Sequence, residues 1–443
     1  MRIPYFAAPV VLGRDEVLLY DDSYRQPVRH FRMSADAKQL LTRVQRGQPI
    51  AIDDAVQSFL AGLPFVSFYE ASIDTPDSII VDCDLGSPAV WANLVYDLEC
   101  ARGGRPLLLS LRQERVAFAG NELPRFEPWD RRTFIVVARA LMQRLRTSRM
   151  LVCGHEAGAK LFDLLSADDT WMIETGFAEW AAIPDAPPAL RTRVLDEVLF
   201  REHAFPWDNV AEAIAMGEAI AHSRNFVWSE TLAATLARQF PSAMTRFVAP
   251  SIDVALFSVA HRERGGPLRI LAGTGAHTAG PNGIGFLALH PLVEAVAAID
   301  DCTLTIITGD EPRLRSLLPL DHPRIVVAGR TRRGDLPAIY AAHDVYYRLQ
   351  DDGSIPLSCI EAMAAGMAVV LNEKTAPTFC ELRGGTNVVH LPHGDTAALT
   401  EALRRLAADR EAVARIGDAA VQTARSHCDV ARALRQMGWW SSD

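Results

Sequence analysis

The sequence has no excess of positive charge and no long apolar run. Its 443 residues include 45 Lys and Arg against 54 Asp and Glu, which gives a formal net charge of −9. Because nonspecific affinity for nucleic acids comes from a basic surface, this balance argues against a nucleic-acid-binding protein. No apolar stretch reaches the roughly 18–20 residues that a membrane-spanning helix needs, so we expect no membrane span.

Cysteines are few and scattered. None of the seven forms a C-x-x-C pair, which excludes a zinc ribbon or a thioredoxin-like redox motif. An odd, dispersed set of thiols is typical of proteins in a reducing compartment, so we expect a cytoplasmic protein. The signatures of serine hydrolases, zinc proteases and P-loop NTPases, namely G-x-S-x-G, H-E-x-x-H and Walker A, are absent as well.

The second half of the chain alternates short apolar strands with helical segments. The predicted strands are Leu268–Ala272, Leu304–Thr308, Arg324–Ala328, Val345–Leu349, Ala368–Leu371 and Asn387–Leu391. Such alternation is typical of βαβ units around a parallel sheet, and continuous apolar strands indicate that both faces of the sheet are covered. We therefore predict a doubly wound, Rossmann-like α/β domain over residues 251–425.

The first half shows the same alternation more weakly, and we predict a second Rossmann-like domain over residues 1–250. Its apolar segment Ile3–Leu12 is interpreted as one core strand rather than a secretion signal, because charged residues follow it directly and no A-x-A site is present. Ligands of doubly wound domains bind beyond the carboxyl ends of the strands. Two such domains facing each other across a cleft would suit a sugar nucleotide or a dinucleotide.

The most informative segment follows the predicted strand Val345–Leu349. A small-residue loop, Gly353-Ser354, leads into a helix with Pro356 in its first turn and Glu361 further along. Free amides at a helix N-terminus form an anion site, and a carboxylate on that helix can accept hydrogen bonds from ribose hydroxyls. On spacing alone, a plain βαβ crossover with an exposed Glu is the alternative.

The segment 356–370, PLSCIEAMAAGMAVV, resembles the donor-site helix of the retaining, family-four type of glycosyltransferase with the GT-B fold, E-G-x-P-x-x-x-x-E-A-M-A-x-G-x-P-V-V. Further segments are similar to that family in the family's order: 248–257, 327–346 and 390–399, and more weakly 76–81 and 104–112. The resemblance is strong over 245–425 and weak over 1–240.

The resemblance implies a set of donor-binding residues. It implies that Glu361 binds the ribose of a donor nucleotide, with Ser358 on the same helix. The other positions that it assigns to the diphosphate, the sugar or the base are Gly353, Ser354, Ile355, Arg330, Thr331, Gly273, Thr274, Asn282 and Gly283. It also implies that no metal is needed, because helix N-termini and basic side chains neutralise the diphosphate.

The sequence departs from the family at several polar positions. The family's first donor-site Glu falls on Gly353, and Asp352 is the acidic neighbour that we expect to take over the sugar hydroxyls. The family's Arg and Lys on the diphosphate fall on Thr274 and about Asn282. The candidates for the missing positive charge are Arg348, Arg332, Arg333 and Arg112. We expect Asp352 and Arg112 to be catalytic.

The resemblance implies a glycosyltransferase that moves a sugar from a nucleotide-diphosphate-sugar donor to an acceptor hydroxyl, with retention and without a metal. The resemblance implies that residues 1–250 bind the acceptor, residues 251–425 bind the donor, and the tail 426–443 packs back on the first domain. We expect the acceptor to be a glycan, a lipid-linked molecule, a protein or a small molecule. Trp439 and Trp440 are candidates for contact with a membrane or a protein partner. The alternatives are a non-catalytic GT-B-like protein that binds a partner or a glycan, and a sugar-nucleotide epimerase.

Overall fold

Two α/β units make up the part of the chain that the computed structural model describes. The described residues are 2–8, 10–12, 16–20, 27–48, 50, 53–82, 87–111, 113–127, 129–145, 147, 149–154, 164, 170–174, 220–221, 223–258, 265–274, 289–348, 355–377, 379–392 and 394–441. Of these, the first unit comprises the residues up to Ile173, those from 220 to Asn225, and Ser242–Met244; the second unit comprises the remainder. None of the described helices is long and apolar enough to cross a membrane.

The first unit is built on a mixed sheet flanked by helices. Its strands are β1 (Arg2–Phe6), β2 (Val10–Leu12), β3 (Glu16–Tyr20), β4 (Pro27–Arg32), β5 (Val66–Glu70), β6 (Ser78–Asp82), β7 (Pro106–Ser110), β8 (Arg115–Phe118), β9 (Asn121–Glu122), β10 (Met150–Cys153) and β11 (Thr170–Glu174). Its helices are α1 (Ala35–Gln45), α2 (Asp54–Ala61), α3 (Ser87–Ala101) and α4 (Arg131–Leu145). The main sheet contains the neighbours β11-β10-β6-β7-β8-β9, of which β11, β10, β6 and β7 are parallel.

The prediction of one core strand over Ile3–Leu12 is wrong. The chain leaves β1 after Phe6 and re-enters a different sheet at Val10, because β1 pairs antiparallel with β5 while β2 pairs with β3 in a separate three-stranded sheet. Both strands bury apolar side chains against the same small core, which includes Phe6, Val10 and Phe65. The apolar run Ile3–Leu12 therefore contains two strands with different pairing partners, which the local sequence pattern does not reveal.

The chain passes from the first unit to the second around β12 (Arg224–Val227), α5 (Glu230–Gln239) and β13 (Thr245–Phe247). The strands that follow in the second unit are β14 (Leu268–Gly273), β15 (Cys302–Ile307), β16 (Ile325–Ala328), β17 (Val345–Arg348), β18 (Ala368–Asn372) and β19 (Val389–Leu391). Its helices are α6 (Val254–Phe257), α7 (His290–Ala297), α8 (Glu311–Leu317), α9 (Leu336–Ala341), α10 (Leu357–Ala364), α11 (Thr396–Ala408), α12 (Arg410–His427) and α13 (Val430–Gln436).

The second unit has the strand order of a doubly wound domain. Its sheet runs β16-β15-β14-β17-β18-β19, and every one of these pairs is parallel. Counted from the first strand of this sheet, the order is 3-2-1-4-5-6, which reverses direction between β14 and β17. The predicted doubly wound α/β class is confirmed, and the reversal marks the edge where ligands bind in such sheets.

A buried ion-pair cluster ties the amino ends of the two central strands together. Asp344, just before β17, accepts hydrogen bonds from the Arg269 guanidinium at 3.0 and 2.9 Å, and its carboxylate lies 2.8 Å from the guanidinium of Arg410. Burial raises the pKa of Asp344, but the hydrogen bonds from Arg269 and Arg410 outweigh it and hold that pKa below its ordinary value. The cluster therefore stabilises the end of the sheet opposite to the ligand edge.

The tail of the chain contains two helices rather than one continuous one. α12 ends at His427, and the side chain of Asp429 then accepts a hydrogen bond from the N–H of Arg432 to begin α13. The N–H of Ile252 donates to the carbonyl of Cys428 at 2.9 Å, which ties this break to the start of the second unit. The expected packing of residues 426–443 on the first domain stays a prediction.

Candidate active site

The two central strands of the second unit end in a glycine and a buried arginine. β14 ends at Gly273 and β17 ends at Arg348. The guanidinium Nη1 of Arg348 donates a hydrogen bond to the carbonyl oxygen of Gly273 at 2.6 Å, and only 9% of the arginine is exposed. A cation therefore lies at the point where the strand order reverses.

The face of β17 that carries this arginine is turned towards α10. Side chains two residues apart in a strand lie on the same face, and Tyr346 and Arg348 are so related. Tyr346 is hydrogen bonded to Ser358 in the first turn of α10. A Cβ at Gly273 would lie 3.3 Å from the Tyr346 hydroxyl, so glycine at this position leaves room for the tyrosine. These contacts bring the start of α10 next to the strand ends.

Glu361 lies on α10 and is held by two side chains. It is only 5% exposed. The hydroxyl of Tyr340, on α9, donates to Oε2 at 3.0 Å, and the guanidinium of Arg333 lies 3.6 Å from Oε1. The Glu361 carboxylate is thus held in place by α9 and by the turn before it. The alternative interpretation, a plain βαβ crossover, expected this glutamate to be exposed.

The surroundings of Glu361 act on its pKa in opposite directions. Burial raises the pKa of this carboxyl group, while the positive charge of Arg333 and the hydrogen bond from Tyr340 lower it; the net result is a raised pKa. The pKa of Tyr340 is raised well above its usual range, first by burial and then by the charge of Glu361. Tyr340 therefore keeps its proton and serves as a donor to the carboxylate.

The remaining predicted residues fall into distinct environments. The N–H of Thr274 donates to the Ile307 carbonyl at 3.0 Å, and its hydroxyl lies 3.2 Å from that of Thr308. Thr274 therefore links the ends of β14 and β15. Ile355 is buried just before α10. Arg330 is exposed and Thr331 half-buried, in the turn that follows β16 at the same edge of the sheet.

Several predicted residues lie outside the described part of the chain. They are Asp352, Gly353, Ser354, Arg112, Asn282 and Gly283. Their roles stay predictions. Of the predicted donor-binding set, the structure brings Gly273, Ser358 and the Glu361 helix to one edge of the second unit.

Sequence reasoning missed the two tyrosines that line this edge. Tyr340 and Tyr346 are both almost fully buried, with ring centroids 5.8 Å apart. Both lie in the segment 327–346 that resembles the glycosyltransferase family, so the resemblance could have identified them as candidate site residues. Their contacts with Glu361 and Ser358 follow from helix packing, which the sequence pattern does not specify.

Comparisons with known proteins agree with this architecture. Residues 285–409 match the model of a family described as glycosyl transferases group 1. None of the curated proteins matches the chain in sequence. Sucrose-phosphate synthase from Thermosynechococcus elongatus is similar in structure, with a TM-score of 0.60 and 15% identity, over 82% of this chain and 98% of that chain.

Two further solved structures share the same fold. HepE of Anabaena, determined in complex with UDP and glucose, has a TM-score of 0.56 and 14% identity over 82% of this chain and 98% of that chain. A glycosyltransferase from Rickettsia africae has a TM-score of 0.53 and 11% identity over 82% and 96%. At such identities the solved structures establish the fold alone, which is GT-B. The family model adds a sequence match that is confined to residues 285–409. The chain therefore has the GT-B fold, and residues 285–409 within its second unit are similar to the group 1 glycosyltransferases.

Proposed function

We propose that the second unit binds a nucleoside-diphosphate sugar and that the enzyme transfers the sugar to an acceptor hydroxyl with retention of configuration and without a metal. The observation that carries the proposal is the buried carboxylate of Glu361, held by Tyr340 and Arg333 on the helix that follows the strand-order reversal. An ionised carboxylate accepts hydrogen bonds and donates none. It therefore suits the vicinal hydroxyls of a ribose.

We further propose that the nucleotide base of the donor is uracil. Anabaena HepE has been solved with UDP, with UDP and glucose, and with UDP-glucose. Uridine is therefore the first base to test. Arg330 and Thr331, in the turn after β16, are our candidates for contact with the base.

The proposed reaction needs no covalent intermediate on the protein. The acceptor oxygen attacks the anomeric carbon on the face from which the diphosphate leaves, and a new carbon–oxygen bond forms. The bond between the anomeric carbon and the diphosphate oxygen breaks, and its electron pair stays on that oxygen. The acceptor proton passes to the departing phosphate. Protein cations and N–H groups stabilise the charge that develops on the leaving group.

The other assignments belong to the same proposal. Asp352 takes the sugar hydroxyls, and the loop Gly353-Ser354 offers backbone N–H groups to the diphosphate. Residues 1–250 bind the acceptor, with Arg112 at the end of a predicted strand. The acceptor is a glycan, a lipid-linked molecule or a protein.

The proposal is tested by calorimetric titration of the full chain with UDP, GDP, ADP, CMP and dTDP. We expect one of them to bind, and Glu361→Ala to weaken that binding by about 1–3 kcal/mol, since hydrogen bonds to a charged, buried acceptor are lost. The matched control is Glu401→Ala, which removes an exposed carboxylate on α11 and should leave the affinity unchanged. If no nucleotide binds the wild-type protein, the proposal fails and a non-catalytic binding role takes its place.

A further inference from the structure

Arg348 is a buried cation to which the described part of the chain offers no carboxylate. It is 9% exposed, and its hydrogen bond goes from Nη1 to the neutral carbonyl of Gly273. Its Nε atom is buried without a hydrogen-bond partner. A buried charge that lacks an opposite charge is costly to a folded protein, so a position like this one indicates an anionic ligand.

Three half-buried arginines in or beside this sheet have carboxylate partners. Arg269 and Arg410 share Asp344 at the amino ends of the strands. Arg333 faces Glu361. Arg332 is exposed in the turn before α9. Among the described arginines that the sequence offers for the missing positive charge, Arg348 alone is buried and has no carboxylate partner within the described part of the chain.

Arg348 lies at a position where a ligand-binding side chain is expected. It stands at the carboxyl end of β17, beside the end of β14, where the strand order reverses and where ligands of doubly wound sheets bind. Its charge also reaches the first turn of α10. Burial raises the pKa of Cys359 in that turn to about 12, and Arg348 acts in the opposite direction. The guanidinium and the N-terminus of α10 therefore meet at one place.

We propose that Arg348 binds the diphosphate of the donor and stabilises the negative charge that develops on the leaving phosphate oxygen. This inference rests on the proposed function. The position that the resemblance assigns to a diphosphate-binding arginine is Thr274, whose N–H and hydroxyl are engaged with Ile307 and Thr308. Arg348 donates to the carbonyl of Gly273, the residue just before it. The charge absent from the end of β14 is thus supplied by the neighbouring strand.

The test compares a nucleoside diphosphate with its nucleoside. The affinities of UDP and uridine are measured for the wild-type chain, Arg348→Met and Arg348→Lys by calorimetry; if another nucleotide of the series UDP, GDP, ADP and dTDP binds instead, that nucleotide and its nucleoside are used. We expect Arg348→Met to weaken UDP binding about 10- to 100-fold, as the loss of a charge-assisted hydrogen bond does. Uridine affinity should change less than about twofold, because the nucleoside carries no phosphate. Arg348→Lys should retain part of the affinity, since it keeps the charge without the guanidinium fork.

Controls separate a ligand role from a structural one. Arg404→Met removes an exposed arginine on α11 and should leave both affinities unchanged. The melting temperature of ligand-free Arg348→Met should stay close to that of the wild type. The variant loses one hydrogen bond to Gly273 but also removes a buried charge to which the described residues offer no carboxylate. Equal losses of UDP and uridine affinity with a lower melting temperature would show a structural role and overturn the inference. Unchanged UDP affinity would overturn it while leaving the proposed function intact, and absence of any nucleotide binding to the wild type would overturn both.

Discussion

At the scale of single residues, the protonation of Glu361 should control nucleotide binding at the proposed donor site. The carboxyl group is buried, and its raised pKa means that it takes up a proton at a higher pH than an ordinary glutamate does. When protonated, it loses acceptor capacity for ribose hydroxyls. Nucleotide affinity should therefore be full above the pKa of Glu361 and decline as the pH falls through it.

Arg333→Met tests how this protonation is controlled. Since the charge of Arg333 lowers the pKa of Glu361, its removal should raise that pKa further, and the decline in nucleotide affinity should begin at a higher pH. The measurement is the dissociation constant of the bound nucleotide between about pH 5 and pH 8, a window around and above the ordinary Glu value. Arg404→Met serves as the control and should follow the wild-type profile. A profile for Arg333→Met that is parallel to that of the wild type at all pH values would contradict this account.

The residues of the site differ in how well the sequence predicts them. Glu361 is predicted because its helix position and its surrounding motif are both local features. Its partners Arg333 and Tyr340 precede it by 28 and 21 positions, and they meet it only through the packing of the turn before α9, α9 itself and α10. Arg348 is one of several candidates in the sequence, and only its burial and its lack of a described carboxylate partner single it out.

At the scale of secondary-structure elements, the second unit is predictable where strands are apolar throughout. β14, β17 and β18 lie within one or two residues of their predicted bounds, because buried parallel strands leave a continuous apolar run that ends at a polar or small residue. The first unit is less predictable. The break between β1 and β2 and the antiparallel pairing of β8 with β7 depend on distant partners that a local pattern does not reveal.

The ion-pair cluster of Asp344, Arg269 and Arg410 should stabilise the amino ends of β14 and β17. Asp344→Asn should lower the free energy of unfolding by about 3–5 kcal/mol, because it leaves Arg269 and Arg410 without a buried counter-charge. Nucleotide affinity should be unchanged, since the cluster lies at the amino ends of the strands. Urea unfolding of both proteins is the measurement. Asp300→Asn, which removes an exposed partner of Arg324, is the control and should cost no more than about 1 kcal/mol.

The stabilisation by Asp344 has a defined pH dependence. Its pKa in the folded protein is lower than its ordinary value, so the unfolded chain binds the proton more readily. The contribution is therefore fully present above the ordinary Asp pKa and is lost as the pH falls through the folded-state value. A stability difference between wild type and Asp344→Asn that stays constant into that acidic range would contradict the assignment.

At the scale of the whole molecule, the sequence match to the family covers a smaller part of the chain than the structural similarity does. The group 1 family match covers residues 285–409, all of them within the second unit, whereas the similarity to solved structures extends over 82% of the chain. A shared fold does not fix the substrate. We therefore propose, from the second unit's own residues, that this unit binds the donor, and we expect the divergent first unit to determine the acceptor.

We propose that a nucleoside-diphosphate sugar binds at the carboxyl edge of the second unit's sheet. The most direct measurement is a crystal structure of the full chain with its tightest-binding nucleoside diphosphate. We predict ribose hydroxyls within hydrogen-bonding distance of the Glu361 carboxylate and phosphate oxygens at the Arg348 guanidinium and the start of α10. A nucleotide bound elsewhere, with Glu361 and Arg348 in contact only with protein, would contradict the account.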